Sequence, residues 1–406
     1  MARNPSSPLF KLVLLSASLL LSEASAISPT LPELAEAFPD AGQTSVQSFV
    51  TIGSVAGMVS TVVAGALAGR VGKRRLVLIG MALIALGGVA PIALVPVGSF
   101  PLLLASRLVL GVGIGFLQPL TSSVVADFYR GAERENMLGW QSAAVGGGGA
   151  LWTLVVGALM LVNWKAAFLV YAFSLVCLVL FARFIPEPPA HTPADEPAAG
   201  SRAPWYRVSA DVWIAAAIML AFTAAFQGVF ISMPLAFVSE KNLTTSATIS
   251  LLLTVFSLSA VAVGLVFGPV VRRLRAWTGA VAATVLAVAE LAMWGANSAP
   301  LGFAAAALAG IGFGCFMPFV ITTTNDRATP RTSAMATALV FTGASIGGAA
   351  APYYFRVVGE LTGNTSATHQ LLVAAVTLLV VAAITAARYV TTTPRPTSPT
   401  EILEHA

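Results

Sequence analysis

Long apolar segments alternate with short polar ones along almost the entire chain. Twelve of these segments are long enough to cross a bilayer as helices, which takes about 20 residues each. They cover residues 9–30, 44–68, 76–97, 100–124, 136–162, 165–185, 210–233, 246–270, 277–297, 299–323, 333–357 and 367–390. The pattern predicts an all-α membrane protein with twelve transmembrane helices, most of whose surface is covered by lipid.

The longest polar interruption divides the twelve predicted spans into two groups of six. This interruption, residues 186–208, is rich in Pro and Ala, a composition typical of a linker. We expect four units along the chain: an N-terminal six-helix bundle at 1–187, a cytoplasmic linker at 188–208, a C-terminal six-helix bundle at 209–392 and a cytoplasmic tail at 393–406.

The two groups of six repeat one another at a constant offset of 199 residues. Gly65 corresponds to Gly264, and the correspondence continues without a gap to Gly149 and Gly348. The other matched positions include Gly69 with Gly268, Lys73 and Arg74 with Arg272 and Arg273, Gly111 with Gly310, Asp127 with Asp326, and Gly148 with Gly347. A repeat of this length is typical of transporters built from two parallel copies, so we expect the two bundles to be pseudo-symmetric.

The composition and the placement of charge agree with a membrane protein. Hydrophobic residues make up 57% of the chain and charged residues only 10%, whereas soluble proteins carry roughly 25%. Of the 22 Lys and Arg residues, 18 fall on one side of the predicted spans, three on the other side and one, Arg107, inside a span. This bias predicts a multi-pass plasma (inner) membrane protein with both termini in the cytoplasm. It also accounts for the net charge of +5 without a nucleic-acid partner.

The N-terminus leaves one alternative open. Arg3, Lys11, an apolar stretch and the sequence ASA at 24–26 are also typical of a signal peptide with its cleavage site. Cleavage would remove the first span and leave eleven, so that the two halves would no longer match. The repeat therefore favours a first helix that is retained.

The loop after the second span carries a recognisable motif. The sequence GALAGRVGKRR at 65–75 is similar to G-x-x-x-D-[RK]-x-G-[RK]-[RK], with matches at Gly65, Arg70, Gly72, Lys73 and Arg74. On this motif and on the two matched halves, the chain resembles the major facilitator superfamily. The resemblance implies a major facilitator fold, with twelve helices in two pseudo-symmetric bundles.

One position of this loop departs from the family pattern. Gly69 stands where the motif has an acid, which in the family helps to latch the outward-open state. We expect that this latch is missing or that another acid, such as Asp127, has taken over its role.

An arginine inside the fourth span is the first candidate functional residue. The sequence RLVLGVGIG at 107–115 resembles the superfamily motif R-x-x-x-G-x-G. The glycines, including Gly111, recur in the second half, whereas the counterpart of Arg107 is Ala306. An intramembrane charge is a functional candidate by default, so we assign Arg107 to function and the glycines to the scaffold. The alternative is an arginine that caps the carbonyls of neighbouring helices.

Glu23 in the first span is the predicted partner of Arg107. Each residue lies about seven positions from the outer end of its span, which places both roughly 10 Å below the outer surface at 1.5 Å per residue. The resemblance implies that an acid in the first helix exchanges the coupling proton, and Arg107 would adjust its affinity. A static Glu23–Arg107 pair is the alternative. Glu290 in the ninth span is a rival proton carrier, expected to reach towards the outer interface.

The predicted substrate cavity is apolar with few polar groups. Gln118 follows Arg107 by three helical turns on the same face, and Gln227 lies among Phe222, Phe226 and Phe230, which are spaced four apart. Aromatic walls with few hydrogen-bonding groups favour lipophilic or amphipathic substrates. Ordinary helix packing is the alternative for each phenylalanine.

The fifth span carries a glycine-rich sequence, GWQSAAVGGGGALW at 139–152. Its glycines, among them Gly148 and Gly149, resemble a motif of the twelve-helix drug/proton antiporters, although the motif's proline is missing. Small residues at these positions allow helices to approach closely, so we expect them to move during transport.

Several other functions are excluded by missing motifs. The chain has no G-x-x-x-x-G-K-[ST] loop and no H-E-x-x-H, and its cysteines Cys177 and Cys315 lie in apolar segments. We therefore expect a monomeric transporter, not an enzyme, without cofactor or metal. The leading hypothesis is proton-coupled export of a small lipophilic compound, and the first alternative is proton-coupled uptake of a nutrient or small organic anion. A membrane sensor with a transporter-like scaffold is the remaining alternative.

Overall fold

A computed structural model describes residues 5, 7–22, 26–187, 209–327 and 333–391. Within these ranges the chain forms twelve apolar helical segments. They are α1 (Pro8–Ser22), α2 (Gln43–Val71), α3 (Lys73–Val97), α4 (Phe100–Phe128), α5 (Gly131–Met160), α6 (Trp164–Phe184), α7 (Ala210–Ser232), α8 (Ser246–Leu265), α9 (Phe267–Trp294), α10 (Ala299–Arg327), α11 (Ser333–Thr362) and α12 (Ala367–Thr391). The predicted all-α architecture is confirmed, while the linker 188–208 and the tail 393–406 lie outside the described residues.

The first span differs from the prediction of one continuous helix over 9–30. Eleven of the segments are long and apolar enough to cross a membrane, whereas α1 is shorter. The chain becomes helical again at Ser28–Thr30 and continues in the helix Leu31–Ala37, each of which has a proline among its first positions. Proline lacks a backbone N–H and fits the first turn of a helix, so it starts a new helix more readily than it extends one.

The two bundles repeat the same helix contacts. In the first bundle α4 packs against α2 and α3, and in the second bundle α10 packs in the same way against α8 and α9. Glycine makes these crossings close: a Cβ on Gly111 would lie 2.1 Å from the Gly53 carbonyl oxygen, and one on Gly310 would lie 2.2 Å from that of Phe256. Gly111 and Gly310, which correspond in the repeat, are therefore part of the helix-packing scaffold in both halves.

The bundles meet along two helix pairs, α5 with α8 and α2 with α11. We call the end of the molecule at which α2, α8 and α12 begin the outer face, and the opposite end the inner face. Near the outer face the bundles pack tightly, since a Cβ on Gly157 of α5 would lie 2.7 Å from Ser250 of α8. Further from the outer face, a Cβ on Gly149 would lie 3.2 Å from Ser257 of α8 and one on Gly146 would lie 3.0 Å from Val261. The α5–α8 contact is therefore closest near the outer face and continues into the middle of the two helices.

The helix α7 changes geometry at its outer end. Its α-helical part ends at Phe226, and the residues Gly228–Ser232 and Leu235–Glu240 form π-helical turns. A π turn widens the helix by one residue per hydrogen bond, and such turns are frequent at functional sites.

Candidate transport cavity

A cavity of about 200 Å³ lies between α2 and α4 of the first bundle and α11 of the second. The helices α2 and α4 supply most of its wall, and Ser345 of α11 closes it from the second bundle. Arg107 and Gln118 both line it, and Gln118 is exposed towards it. The two polar groups that the sequence places on one face of the fourth helix therefore share one cavity.

Aromatic side chains hold the guanidinium of Arg107. Its central carbon lies 4.4 Å from the centre of the Phe49 ring, 5.1 Å from that of Tyr171 and 5.3 Å from that of Phe168. One terminal nitrogen donates a 3.4 Å hydrogen bond to the Gly88 carbonyl, and the residue is only 3% exposed. Ring faces attract a cation electrostatically, so the permanent charge of Arg107 is fixed in place at the edge of the cavity.

The predicted partner Glu23 lies outside the described residues, so its pairing with Arg107 stays a prediction. The described part of α1 ends at Ser22, whose hydroxyl donates to the carbonyl of Val145 in α5. In the same region the indole of Trp152 donates a 2.9 Å hydrogen bond to the Leu19 carbonyl. These contacts attach the segment before Glu23 to α5.

The phenylalanines of α7 form a cluster with α8 and α10. Phe222 stacks on Phe316 with ring centres 3.8 Å apart, and Phe226 stacks on Phe313 at 4.4 Å. Phe222 is completely buried and Phe226 is 7% exposed, while Phe230 is half-buried. Phe222 thus packs in the interior of the second bundle, and Phe230 and the half-buried Gln227 are the members of the predicted wall that keep free surface.

A polar network joins the bundles near the outer face. The amide nitrogen of Gln47 in α2 donates to the side-chain oxygen of Gln370 in α12 at 2.6 Å and to the Ile231 carbonyl at 3.3 Å. The hydroxyl of Ser232 donates to the same Gln370 oxygen at 2.7 Å. We call these four residues the outer gate. Sequence reasoning missed them, because neutral side chains more than 100 positions apart carry no sign that they meet.

Further contacts between the bundles flank the outer gate. The hydroxyls of Thr153 in α5 and Thr254 in α8 lie 2.8 Å apart. On the outer helix Leu31–Ala37, burial raises the pKa of the Glu33 carboxyl, and the neighbouring hydroxyl of Ser246 lowers it by less. The outer half of the interface is therefore closed by polar as well as apolar contacts.

The basic loop between α2 and α3 is anchored within the first bundle. Lys73 donates to both oxygens of Asp127 at 2.8 and 2.7 Å, and the Asp127 side chain is 3% exposed. Arg74 donates to the carbonyls of Ala182 and Ile185 at the end of α6, both at 2.6 Å. Asp127 thus binds the side chain of Lys73, and Glu187 accepts a further hydrogen bond from the backbone N–H of Arg74. The pair lies inside one bundle, where it stiffens the loop.

The other residues of the loop motif have structural positions. Gly72 has φ of +93°, a conformation that favours glycine, and a Cβ there would lie 2.6 Å from Glu187. Arg70 is exposed in the last turn of α2, and Gly65 faces open space. Gly72 therefore forms the turn, while Arg70 and Gly65 remain available for contacts in another conformation.

The two glycines of α5 face different bundles. A Cβ on Gly148 would lie 3.1 Å from the Leu19 carbonyl of α1, and one on Gly149 would lie 3.2 Å from the Ser257 hydroxyl of α8. Gly148 therefore belongs to the packing of the first bundle, whereas Gly149 lies at the interface between the bundles.

Glu290 does not reach the outer interface, and that expectation is wrong. Its side chain is completely buried in the second bundle, next to Gly228 of α7. The helices α10 and α12 pack against α9, and Gly228 of α7 lies against the carboxyl itself.

Comparison with known proteins shows where this fold occurs. The family model described as Major Facilitator Superfamily matches residues 13–352 and 236–405. A bacterial homologue of the human lysosomal transporter Spinster, solved in an inward-facing and unoccupied conformation, superposes with a TM-score of 0.72 at 16% identity, over 96% of this chain and 100% of that one. A D-xylose–proton symporter superposes with a TM-score of 0.70 at 14% identity, over 94% and 97%. At such identities the likeness concerns the fold.

A curated relative matches part of the sequence. The methyl viologen resistance protein SmvA of Salmonella typhimurium is 34% identical over 138 residues, which is 33% of this chain and 26% of the relative. The match thus spans about a quarter of the relative's length.

Proposed function

Because the chain belongs to the Major Facilitator Superfamily, and is thus a membrane transporter rather than an enzyme, we propose that it exports a small lipophilic or amphipathic compound in exchange for protons. In this proposal the bundles alternate around the central cavity, which opens to one side of the plasma (inner) membrane at a time. Both termini lie in the cytoplasm, and the working unit is the monomer.

The observation that carries this proposal is a fixed cation at a cavity whose other polar side chains, Ser54, Gln118 and Ser345, are neutral. The Arg107 charge is held by three aromatic rings beside a cavity to which Gln118 adds a neutral amide. A buried cation lowers the cost of ionising a nearby acid, so it suits the release and uptake of a proton by Glu23. The half-buried Phe230 and Gln227 supply an aromatic and a neutral polar surface for the substrate. The name of the partial relative SmvA, a methyl viologen resistance protein, supports export of a compound that combines flat aromatic rings with charge, and is therefore amphipathic.

The test uses purified protein in proteoliposomes with an imposed pH gradient and methyl viologen as the probe. We expect the gradient to drive methyl viologen against its concentration, and Glu23→Gln to abolish this movement at unchanged protein abundance. Gradient-driven transport that survives Glu23→Gln would remove Glu23 from the mechanism. Glu360→Gln, which changes an exposed acid of α11 that pairs with Arg356, is the matched control.

The direction of transport distinguishes proton-coupled export from the alternative, proton-coupled uptake. An exporter that exchanges substrate for protons accumulates the probe in inverted vesicles that are acidified inside. A symporter for a nutrient or small organic anion would accumulate its substrate in right-side-out vesicles, with Arg107 binding a substrate carboxylate.

A further inference from the structure

Glu290 is an acid in the interior of the second bundle. Its side chain is 0% exposed, and neither carboxylate oxygen has a hydrogen-bond partner among the described residues. Burying an ionised carboxylate without a partner costs far more than burying the neutral acid, because the charge loses its hydration. The pocket around Glu290 therefore accommodates the protonated form.

The carboxyl of Glu290 touches the point where α7 changes geometry. A Cβ on Gly228 would lie 3.1 and 3.2 Å from the two carboxyl oxygens and 3.4 Å from the Cβ of Ala374 in α12. A larger residue at position 228 would push the Glu290 carboxyl away, so the observed spacing requires glycine there. Gly228 is also the first residue of the π turn Gly228–Ser232, so the acid packs directly on the start of that turn.

The same π turn carries half of the outer gate. Its residue Ile231 accepts the amide of Gln47 through its carbonyl, and its residue Ser232 donates to Gln370. Gly228, which contacts Glu290, is thus only three positions before Ile231, the first residue of this turn that bonds in the outer gate. A charge on Glu290 would therefore disturb the π turn, and the hydrogen bonds of Ile231 and Ser232 depend on the geometry of that turn.

We propose that Glu290 is a proton-binding site whose occupation stabilises the closed outer gate. With the proton bound, the neutral side chain stays buried and the π turn keeps its position. When the proton passes to water, the carboxylate needs hydration, the turn shifts to admit it, and the bonds from Gln47 and Ser232 are lost. This site lies in the bundle opposite the proposed Glu23–Arg107 pair, and it depends on neither the substrate nor the direction of transport.

The helices packed around Glu290 carry other titratable groups, which are bound elsewhere or lie in packed positions. Lys241, after the outer end of α7, donates to the carbonyls of Met293, Trp294 and Ala296, and burial lowers its pKa. Glu240 accepts from the backbone N–H groups of Ala367 and Thr368 at the start of α12. Among the residues of these helices whose side chains the structure describes, the remaining groups are Cys315 on α10, His369 and Arg388 on α12, and Asp211 on α7, which pairs with Arg388.

Electron–electron distance measurements on the full chain in lipid nanodiscs test the proposal. Asp40→Cys and Thr365→Cys place one spin label on each bundle at exposed positions of the outer face, while the native cysteines are buried. Without substrate or gradient, we expect the long-distance, open population to grow as pH rises from 5 to 9. One proton released per opening gives a change of up to about tenfold per pH unit.

Substitutions at Glu290 assign the response to this residue. Glu290→Gln keeps the size and stays neutral, so it should hold the short distance across the whole pH range. Glu290→Met, which is neutral and of similar volume, should do the same and replaces the first variant if that one does not fold. Glu360→Gln, which changes an exposed acid of α11 that pairs with Arg356, is the matched control and should keep the response to pH.

Two results would overturn the proposal: an unchanged distance distribution in the unsubstituted protein between pH 5 and 9, or an equal pH response after Glu290→Gln or Glu290→Met. Either result leaves proton-driven export through Glu23 intact. Conversely, loss of that function in the flux assay leaves the distance result unaffected.

Discussion

Arg107 of the first bundle and Ala306 of the second occupy equivalent positions of the repeat, yet one is a caged cation at the cavity and the other an uncharged residue of the packed interior. The neighbouring glycines Gly111 and Gly310 are the same residue with the same close approach to a backbone carbonyl. The comparison shows that the two copies share the contacts that hold helices together, whereas the intramembrane charge at this position occurs in only one of them.

The largest expected effect follows from removing the charge that distinguishes the bundles. We expect Arg107→Gln to lower gradient-driven methyl viologen flux by about 100-fold, because losing one member of a buried charged site costs about 2–5 kcal/mol. Arg107→Lys should recover only part of the loss, since an ammonium lacks the flat guanidinium that packs on three rings. Flux per reconstituted molecule is the measurement.

The equivalent position of the second bundle supplies the control for Arg107. Ala306→Ser adds one small polar atom at a site without an assigned function and should leave flux within about twofold. Equal losses at both positions would contradict the division of roles between the bundles.

The next prediction concerns the glycines at the helix crossings that the two bundles share. We expect Gly111→Ala and Gly310→Ala each to lower the free energy of unfolding by about 1–3 kcal/mol, because the new methyl group must displace a backbone carbonyl about 2 Å away. Thermal unfolding of purified protein in detergent measures the change. Gly65 and Gly264 also correspond in the repeat, but a Cβ at either position would meet nothing within 4 Å. Gly65→Ala and Gly264→Ala should therefore be neutral or slightly stabilising. If only one of the two substitutions, Gly111→Ala or Gly310→Ala, lowers the free energy of unfolding, the helix packing is less symmetric than the sequence repeat.

The aromatic cluster contains fully buried rings and the half-buried Phe230, which we propose contacts substrate, and substitution separates the two roles. Phe222→Leu should lower the free energy of unfolding by about 1 kcal/mol with little change in the KM for the probe, since its ring is completely buried. Phe230→Leu should instead raise the KM several-fold at nearly unchanged stability. The reverse pattern would place the substrate deeper in the second bundle than we propose.

The smallest effect concerns Glu33, an acid of the first bundle at the outer face. Burial raises the pKa of its carboxyl above 4.5, so the folded protein binds this proton more tightly than the unfolded chain does. Its contribution to stability is therefore complete below pH 4.5 and is lost as pH rises through the raised pKa. Glu33→Gln should remove that part of the profile of melting temperature against pH. An unaltered profile would show that Glu33 is hydrated.

Much of the architecture could be predicted because the bilayer constrains it. A span needs a fixed length of apolar chain, so hydropathy located the ends of α4 and α7 within a few residues of their observed positions. The break in the first span was missed, because hydropathy does not register that Pro29 and Pro32 start new helical turns.

The candidate site was predictable only in part. Arg107 and Gln118 could be placed on one cavity because they share a helix face, which follows from helical periodicity alone. Gln47 and Gln370 could not be paired, since their meeting depends on how two bundles close on each other. Glu290 was assigned to the interface by its distance from the end of the span, whereas it is completely buried where α10 and α12 pack against α9.

By itself the sequence determined the number and spacing of the helices, the two matched halves and the intramembrane charges, because each of these follows from apolar length, repeat offset or residue type. Only the tertiary structure decided which rings hold Arg107, which phenylalanines are buried, and that Glu290 lies against the π turn of the outer gate. Those relations are contacts between helices far apart in the chain. They depend on how each helix is rotated about its axis and how deep it lies in its bundle, and the polarity pattern of the sequence determines neither.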